Sequence, residues 1–431
     1  MTKLKSLINK ELITKYHMEI GIMLCFMLPP LGILWLTVIG WRHLNKVVYN
    51  RVPLHFNTTT FFFICLLISS IGASISQHNG KYLLIVALIA GYLGLYLYIK
   101  DITNFASIKR YKYVMIAGGF YLFLSGTLFP GFYGKSEWIG YLTGTQFIGG
   151  PPGTDDPRLF GSAYNPNFTA FLLLMTFTFV LSSIMEKMKK GDKGWQKFYL
   201  PLLLINTIGI FETGSRSGVA AMFILGLFFV IKSYPKIGLT SIAALFLIKD
   251  QILMLIPRND AISQSTFMRK EIWENSIRIW QDHPFFGTTP IGFADAYAHF
   301  ARAVPHAHNI VLAFFAEYGT IGGLAFLLLA LSVMYKFCCM YFLKAKRKKL
   351  LNFFLLSLPV LLLTGIFDHP LVSPQTALLT IILLASFDKY TATVPFVEKS
   401  VLHLKRALLW VSFWTGKPQH MSKTHKNKTK L

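Results

Sequence analysis

Charged residues are scarce in this chain of 431 residues, since aspartate, glutamate, lysine and arginine together make up only 14% of it. A soluble globular protein carries about a quarter charged residues, so this composition excludes one of this length. Acidic residues are the rarest, and the formal net charge is +24. Much of the positive charge lies in short loops and near both termini, which indicates the cytoplasmic side of a membrane protein. We therefore expect contacts with membrane lipids and no nucleic-acid partner.

Cysteine is rare as well, with four residues at positions 25, 65, 338 and 339, all in or beside apolar runs. None stands at metal-ligand spacing from a histidine, so they predict small buried side chains rather than a metal centre. The first apolar stretch also lacks the small-residue cleavage site of a signal peptide.

Apolar residues, by contrast, make up 53% of the chain and form runs long enough to cross a bilayer as helices. Such runs exclude a transmembrane β-barrel, whose strands are shorter and alternate. The candidate spans are 57–77, 82–99, 112–130, 166–186, 197–213, 218–233, 237–256, 310–338, 351–367 and 371–388. We predict an all-α polytopic membrane protein of about 10–12 transmembrane helices. A single integral membrane domain is expected over residues 1–400, with a basic amphipathic cytoplasmic tail over 401–431.

One further apolar stretch, MEIGIMLCFMLPPLGILWLTVIG at 18–40, is interrupted by Pro29 and Pro30. Proline inside a helix removes a hydrogen bond and clashes with the preceding turn, so a straight span is excluded. Three arrangements remain open: a re-entrant hairpin of two half-length helices, two short tilted spans, and one kinked span.

Lysine and arginine are concentrated in alternate loops, which are 41–51, 100–112, 186–197 and 344–349. The positive-inside rule makes these loops and both termini cytoplasmic, and it puts the long loops near 131–165 and 257–309 on the opposite face. Long loops in a compact fold are usually functional, so we expect the chemistry there.

A helical pattern at 265–281 stands inside the second long loop. Trp273, Ile277 and Trp280 recur at helical spacing and predict one apolar stripe, which either lies on the membrane surface or covers the bundle. Arg269 lies four residues before Trp273, on the same face. The sequence DHPFFG at 282–287 is expected to end this helix.

Three groups of polar residues lie on the expected outer face. Arg216 stands in ETGSRSG, Arg269 in the loop helix, and His306, His308 and Asn309 directly before the run at 310–338. Each has a plain structural role: the anchor of a helical hairpin, an ion pair with a neighbouring glutamate, and a helix cap. Together they would suit the transfer of a glycosyl group from a lipid diphosphate. Arginines would neutralise the leaving group in place of a metal ion, and a histidine would deprotonate the attacking hydroxyl.

The stretch HNIVLAFFAEYGTIGG (308–323) contains Glu317 and a Gly319–Gly323 pair, whose GxxxG spacing favours close helix contact. In this stretch a His-Asn pair is followed by nine residues and then by Gly-x-x-Gly. This spacing resembles the signature of the O-antigen ligase/polymerase superfamily of bacterial membrane glycosyltransferases. Three other stretches resemble that family, in the family's order along the chain. They are GSAYNPN (161–167), TGSRSG (213–218) and the loop sequence beginning RKEIWENSIRIWQDHPFFG at 269.

This resemblance implies a metal-independent, inverting transferase of the GT-C type, without a cofactor, in the bacterial inner membrane. Its donor would be an undecaprenyl-diphosphate-linked glycan, and its acceptor a hydroxyl of a glycan or glycolipid, as in the synthesis of lipopolysaccharide and other surface polysaccharides. His308 would be the catalytic base, and Arg216 and Arg269 would hold the diphosphate. The residues implied in support are His306, Asn309, Glu317, Asn165 and Asn167.

Two other classes of protein remain open. A transporter or flippase of lipid-linked oligosaccharide would carry ionisable residues in the middle of its spans, whereas Asp250 and Glu317 lie near span ends. A purely structural membrane subunit would leave the two long loops unexplained. Among transferases, the sequence does not choose between a ligase, a polymerase and a protein oligosaccharyltransferase. The last is the least favoured of the three, because no appended soluble recognition domain is visible.

Overall fold

The computed structural model describes residues 10–128, 137–147, 158–192, 194–247, 262–342 and 348–392. Within these residues every regular element is a helix and no strand occurs, which confirms the all-α class. The helices are α1 (Lys10–Met27), α2 (Pro29–Val48), α3 (Thr58–Ser76), α4 (Leu83–Ile102), α5 (Phe105–Leu128), α6 (Glu137–Thr143), α7 (Pro166–Lys189), α8 (Trp195–Glu212), α9 (Arg216–Ser233), α10 (Pro235–Leu247), α11 (Ile262–Asp282), α12 (Thr289–Tyr297), α13 (Ile310–Phe342), α14 (Lys348–Ser357), α15 (Pro359–Gly365) and α16 (Pro374–Thr391). The tail expected at 401–431 and Asp250 lie outside the described residues.

Five helices of the described residues are long and apolar enough to cross a membrane: α3, α4 with the turn before it, α7, α9 and α13. The protein is therefore a polytopic membrane protein. The other expected spans are helical as well, in α5, α8, α10, α14 with α15, and α16, but each is shorter or more polar. Helix α7 is apolar on all sides and 94% of its most apolar segment is buried, as expected for a helix in the middle of a bundle.

The proline-interrupted stretch forms two helices that pack against each other as a hairpin, with Leu28 between them. Glycines make this close approach possible, because a Cβ on Gly32 would lie 2.2 Å from the backbone nitrogen of Cys25. The first helix has 18 residues and is kinked at Tyr16, and the second has 20 residues. The hairpin excludes the single kinked span.

Helix α13 is interrupted at Gly319, so the expected span at 310–338 is not one continuous helix. Gly319 has φ 64° and ψ −167°, a backbone region that essentially only glycine adopts. The turn packs on the segment after α11, where the Thr320 amide donates to the carbonyl of Pro284 at 2.7 Å. A Cβ on Gly319 would lie 2.2 Å from the Phe285 carbonyl oxygen. The prediction that Gly319 serves helix–helix contact is therefore wrong, since it permits a backbone turn.

Helix α11 packs on α13 and covers one end of the bundle, which we call the site end. The indole N–H of Trp280 donates to the Thr320 hydroxyl at 3.0 Å. Ile272 and Ile279 are buried, whereas Ile277 is 38% exposed. Of the two predicted roles, covering the bundle is correct, but the placement of Ile277 on the buried stripe is wrong.

A buried carboxylate joins four helices at the opposite end of the bundle. Asp388 of α16 accepts hydrogen bonds from Thr59 of α3 at 2.6 Å and from Tyr96 of α4 at 2.8 Å. Its second oxygen lies 2.6 Å from the ammonium of Lys336 in α13. Because a buried charge is costly unless it is paired and hydrogen-bonded, these contacts fix α13 and α16 side by side.

We expect Gly319→Ala to destabilise the protein, because it forces a side chain into a glycine-only conformation (about 1–3 kcal/mol) and adds a clash with Phe285. The matched control is Gly226→Ala in α9, where a Cβ meets nothing within 4 Å. Thermal unfolding of the detergent-purified proteins measures both effects. Equal melting temperatures for the two variants would contradict the assigned role of Gly319.

Candidate functional site

The centre of the site end is a carboxylate bound by two histidines, which we call the histidine–aspartate cluster (His306, His308 and Asp368). Oδ1 of Asp368 lies 2.8 Å from Nε2 of His306 and 3.1 Å from Nδ1 of His308. The two imidazole centroids are 4.3 Å apart. The histidines come from the loop before α13 and the aspartate from the loop before α16, so the fold joins residues about sixty positions apart.

Burial and hydrogen bonding together set the protonation of this cluster. Although burial alone would raise it, the hydrogen bonds from His306 and His308 hold the pKa of the Asp368 carboxyl well below its usual value. Burial is the main cause that lowers the pKa of His306 to about 4, and the neighbouring imidazole of His308 contributes. An ionised carboxylate has only acceptor sites, so each histidine must donate an N–H to Asp368. His308 therefore carries a hydrogen on Nδ1, and Nε2 is the ring nitrogen that does not contact Asp368.

The backbone around His308 is held in place from three sides. His308 has φ 49°, in the left-handed region that few non-glycine residues adopt. Its carbonyl accepts the indole N–H of Trp273 at 3.3 Å. Asn309 caps α13 by accepting the amides of Val311 and Leu312, and it donates to the carbonyl of Ile366 at 3.0 Å. The capping role is thus confirmed, while the His308 side chain remains 25% exposed.

One face of α11 contacts Arg216 and carries Arg269. The guanidinium of Arg216, at the first residue of α9, donates to the Ser265 hydroxyl. One turn after Ser265 on α11, Arg269 lies over the ring of Phe367, with 5.7 Å between its guanidinium carbon and the ring centroid. Phe367 directly precedes Asp368, and the next turn of α11 carries Trp273. Steps of four residues lie on one helix face, so α11 aligns Arg216, Arg269 and His308.

The loop with the Asn-Pro-Asn sequence borders the cluster on another side. Asn165 caps α7 and accepts the amide of Asn167 at 2.9 Å. The ring of Phe168, on the first turn of the same helix, lies 6.3 Å from the imidazole centroid of His306. The two asparagines thus shape the start of α7 beside the cluster.

Glu317 lies behind the cluster and is fully buried. One of its carboxylate oxygens is 3.4 Å from Nε2 of His369, the residue after Asp368. The His369 ring is in turn 6.1 Å from that of His306, centroid to centroid. Glu317 therefore adjoins the cluster through His369 and is closed to solvent.

A cavity of about 340 Å³ extends from His369 between α3, α4, α13 and α16. All its lining side chains are apolar or aromatic except His369 and Thr380. An apolar cavity therefore begins directly next to the histidine–aspartate cluster.

The histidine–aspartate cluster is also the one group of described residues whose ligand atoms are close enough, within 4.8 Å, to hold a metal ion. The same oxygen of Asp368 accepts a hydrogen bond from both histidines, however, and His306 is buried. In this geometry Asp368 orients both imidazoles.

The candidate residues from the sequence therefore meet at one end of the bundle. Asp368 and Trp273, which orient His308, were not predicted as site residues. The signal for Asp368 was a lone carboxylate in the short Phe-Asp-His-Pro loop between two apolar runs. The alternation of the basic loops predicts that this loop lies on the same face as His308.

Residues 201–327 match the family model described as O-antigen ligase. The match supports the resemblance of this chain to the O-antigen ligase/polymerase superfamily. The matched segment includes Arg216, Arg269 and His308, and it ends before Asp368. No curated protein matches the chain at a significant level.

The burial of neutral His306 predicts a pH-dependent stability. The unfolded chain binds this proton near pH 6.5, whereas the folded protein binds it at about pH 4. The free energy of unfolding should therefore fall as the pH falls from 6.5 to 4, by up to about 3 kcal/mol. Asp368 adds a slope of the same sign only toward the lower end of this window, because its lowered pKa keeps it ionised in the folded state while the unfolded carboxyl begins to take up protons below about pH 5.

The variant His306→Gln keeps an N–H donor for Asp368 but cannot titrate, so its stability should depend less on pH in this window. Thermal unfolding of both proteins in detergent between pH 4 and 8 measures the difference. The pH 8 values serve as the control, because His306 is then neutral in both states. An equal slope for the two proteins would refute the burial of a neutral histidine.

Proposed function

We propose that this chain, with its O-antigen ligase match, is a metal-independent glycosyltransferase that uses a polyprenyl-diphosphate-linked glycan as its donor. The observation that carries the proposal is the alignment of Arg216, Arg269 and the Asp368-bound His308 along one face of α11. Cations that suit a diphosphate thus lie along the same helix face that supports an oriented base.

His308 is the base in this proposal. Its Nδ1–H is donated to Asp368, so Nε2 accepts the proton of an acceptor hydroxyl. Asp368 then stabilises the imidazolium that forms. His306 supports this role by holding the other hydrogen bond to Asp368 from a buried position.

The arginines bind the leaving group in this proposal. The acceptor oxygen forms a bond to the anomeric carbon as the bond to the diphosphate oxygen breaks, and the polyprenyl diphosphate departs with the electron pair. Guanidinium groups match phosphate oxygens bidentately and keep their charge at any physiological pH. Attack opposite the leaving group inverts the anomeric carbon.

The apolar cavity beside His369 suits the lipid part of such a donor. Its lining offers no charged partner for a sugar or phosphate apart from the histidine at its edge. A polyprenyl tail would gain about 0.8 kcal/mol for each CH₂ group removed from water. The undecaprenyl chain is the tail we assign to it.

The basic loops define the orientation that we propose for the protein in the bacterial inner membrane. They face the cytoplasm, so the site end faces the periplasm or the cell exterior. The acceptor is a glycan or a glycolipid, which makes the protein a ligase or a polymerase of surface polysaccharide. Loss of a polymerase would leave single repeats, whereas loss of a ligase would leave long undelivered chains on the carrier.

Substitution of the proposed base and arginines tests the reaction. We expect His308→Ala to lower kcat at least about 100-fold, and Arg216→Lys or Arg269→Lys to lower kcat/KM about tenfold through the lost bidentate contacts. The assay measures glycan transfer by protein in nanodiscs, with donor and acceptor fractions extracted from cells that lack the chromosomal gene.

Two matched controls are available in the chain. Arg278→Lys changes an exposed arginine on the same helix, and His55→Ala removes a 57% exposed histidine at the opposite end of the bundle. Both should transfer glycan at the wild-type rate. Normal glycan transfer by correctly folded His308→Ala would refute the assignment of His308 as the base. Movement of the lipid-linked glycan across the bilayer without transfer would favour a flippase.

The cavity is tested by narrowing it. Ala377→Phe adds a ring to a buried lining position of α16, so we expect a higher KM for the full-length donor. A donor with a shortened prenyl chain should be affected less, because its tail does not fill the cavity. Ala392→Phe, at an exposed alanine directly after α16, is the control for added bulk. An unchanged KM for the full-length donor in folded Ala377→Phe would place the tail elsewhere.

A further inference from the structure

A second cavity lies at the site end, apart from the histidine–aspartate cluster. Its volume is about 300 Å³, and it lies between the α3–α4 turn, the end of α11 and helix α12. It differs from the cavity beside His369 because most of its lining side chains are polar. Neither the resemblance nor the reaction proposed above uses it.

The floor of this cavity is fixed by hydrogen bonds. The Tyr82 hydroxyl donates to Oε1 of Gln77 at 3.1 Å, and Nε2 of Gln77 donates to the carbonyl of Gly287 at 2.8 Å. Helix α12 lies directly against this pair, because a Cβ on Gly292 would be 2.2 Å from the Tyr82 oxygen. The amide and the phenol are therefore oriented before any ligand binds.

The walls carry groups of a different kind. Asp282 and Asp295 contribute carboxylates, and His283 and His299 contribute imidazoles. Phe300 adds an aromatic ring that is 39% exposed. Hydrogen-bond acceptors, donors and one apolar face thus surround a single space.

The charges of the lining exclude two classes of ligand. The chain as a whole has a net charge of +24, yet no lysine or arginine of the described residues lines this cavity, so it does not suit a phosphate. Asp282 and Asp295 also belong to no described group of ligands close enough to hold a metal ion. A neutral molecule rich in hydroxyl groups satisfies carboxylates, an amide and imidazoles at once.

We propose that this cavity is a sugar-binding subsite for a neutral monosaccharide unit of the glycan. The inference rests on the proposed glycosyl transfer. Asp282 follows Trp273 by nine residues on α11, or about 14 Å along the helix axis, and Trp273 contacts the backbone of His308. The subsite therefore holds a unit of the glycan that is separated from the reacting bond, in either the donor or the acceptor chain.

The test uses Asp282→Asn, Asp295→Asn and Phe300→Ala in the full-length protein in nanodiscs. The lipid-linked donor fraction and the acceptor fraction, extracted from cells that lack the chromosomal gene, are titrated separately. We expect KM for one of the two substrates to rise about tenfold, which equals about 1.4 kcal/mol. The substrate whose KM rises identifies the chain that occupies the subsite. Glu274→Gln is the matched control, since it removes a 56% exposed carboxylate from the same helix outside the cavity.

The outcomes separate the two proposals. If the wild type transfers glycan and all three variants keep the wild-type KM for both substrates, the subsite is refuted and glycosyl transfer stands. If the wild type transfers no glycan from these fractions, the proposed function itself fails. An equal rise in KM for Glu274→Gln would also overturn the subsite, because the effect would then follow the charge of α11 rather than the cavity. Thermal unfolding identifies any variant that fails to fold.

Discussion

The site depends on one buried carboxylate that accepts hydrogen bonds from two imidazoles. An isolated charge in the position of Asp368 would be expensive, and the N–H groups of His306 and His308 offset that cost. The same bonds determine which nitrogen of His308 carries hydrogen. They also hold the loop before α13 against the loop before α16. Protonation, orientation and tertiary structure at this end are therefore consequences of a single interaction.

Helix α11 is the second element on which the site depends, because it acts as a straight scaffold across the end of the bundle. Successive turns of it contact Arg216, present Arg269 and support the backbone of His308. Its end then forms part of the sugar-sized cavity. A rigid helix keeps these positions at fixed separations, which a loop of the same length would not do. In the proposed reaction, the diphosphate and a more distant sugar would therefore be held at a fixed separation by one structural element.

Much of the fold could be predicted, since the apolar runs give the helices and the basic loops give their alternation. Arg216, Arg269 and His308 could be predicted because their chemistry stands out in apolar surroundings. The lone carboxylate of Asp368 stands out in the same way, but nothing in its local sequence reveals that residues about sixty positions earlier complete its contacts. Gly319 shows a related limit: its spacing from Gly323 fits helix packing, and only the tertiary contact with Phe285 reveals a turn. Ile277 shows a similar limit. Helical spacing predicts that α11 has an apolar stripe more reliably than it predicts which residues belong to that stripe.

The buried Asp388 at the opposite end has a consequence for the biosynthesis of the protein. It joins α16 to residues of α3 more than three hundred positions earlier, and to Lys336 of α13. A chain emerging from the ribosome presents its N-terminal part first, so both arginines and His308 emerge before Asp368 and Asp388. Until α16 is inserted, the histidines lack their carboxylate and Lys336 lacks its partner. The order of residues along the chain thus delays completion of the site until nearly all of the bundle has been made.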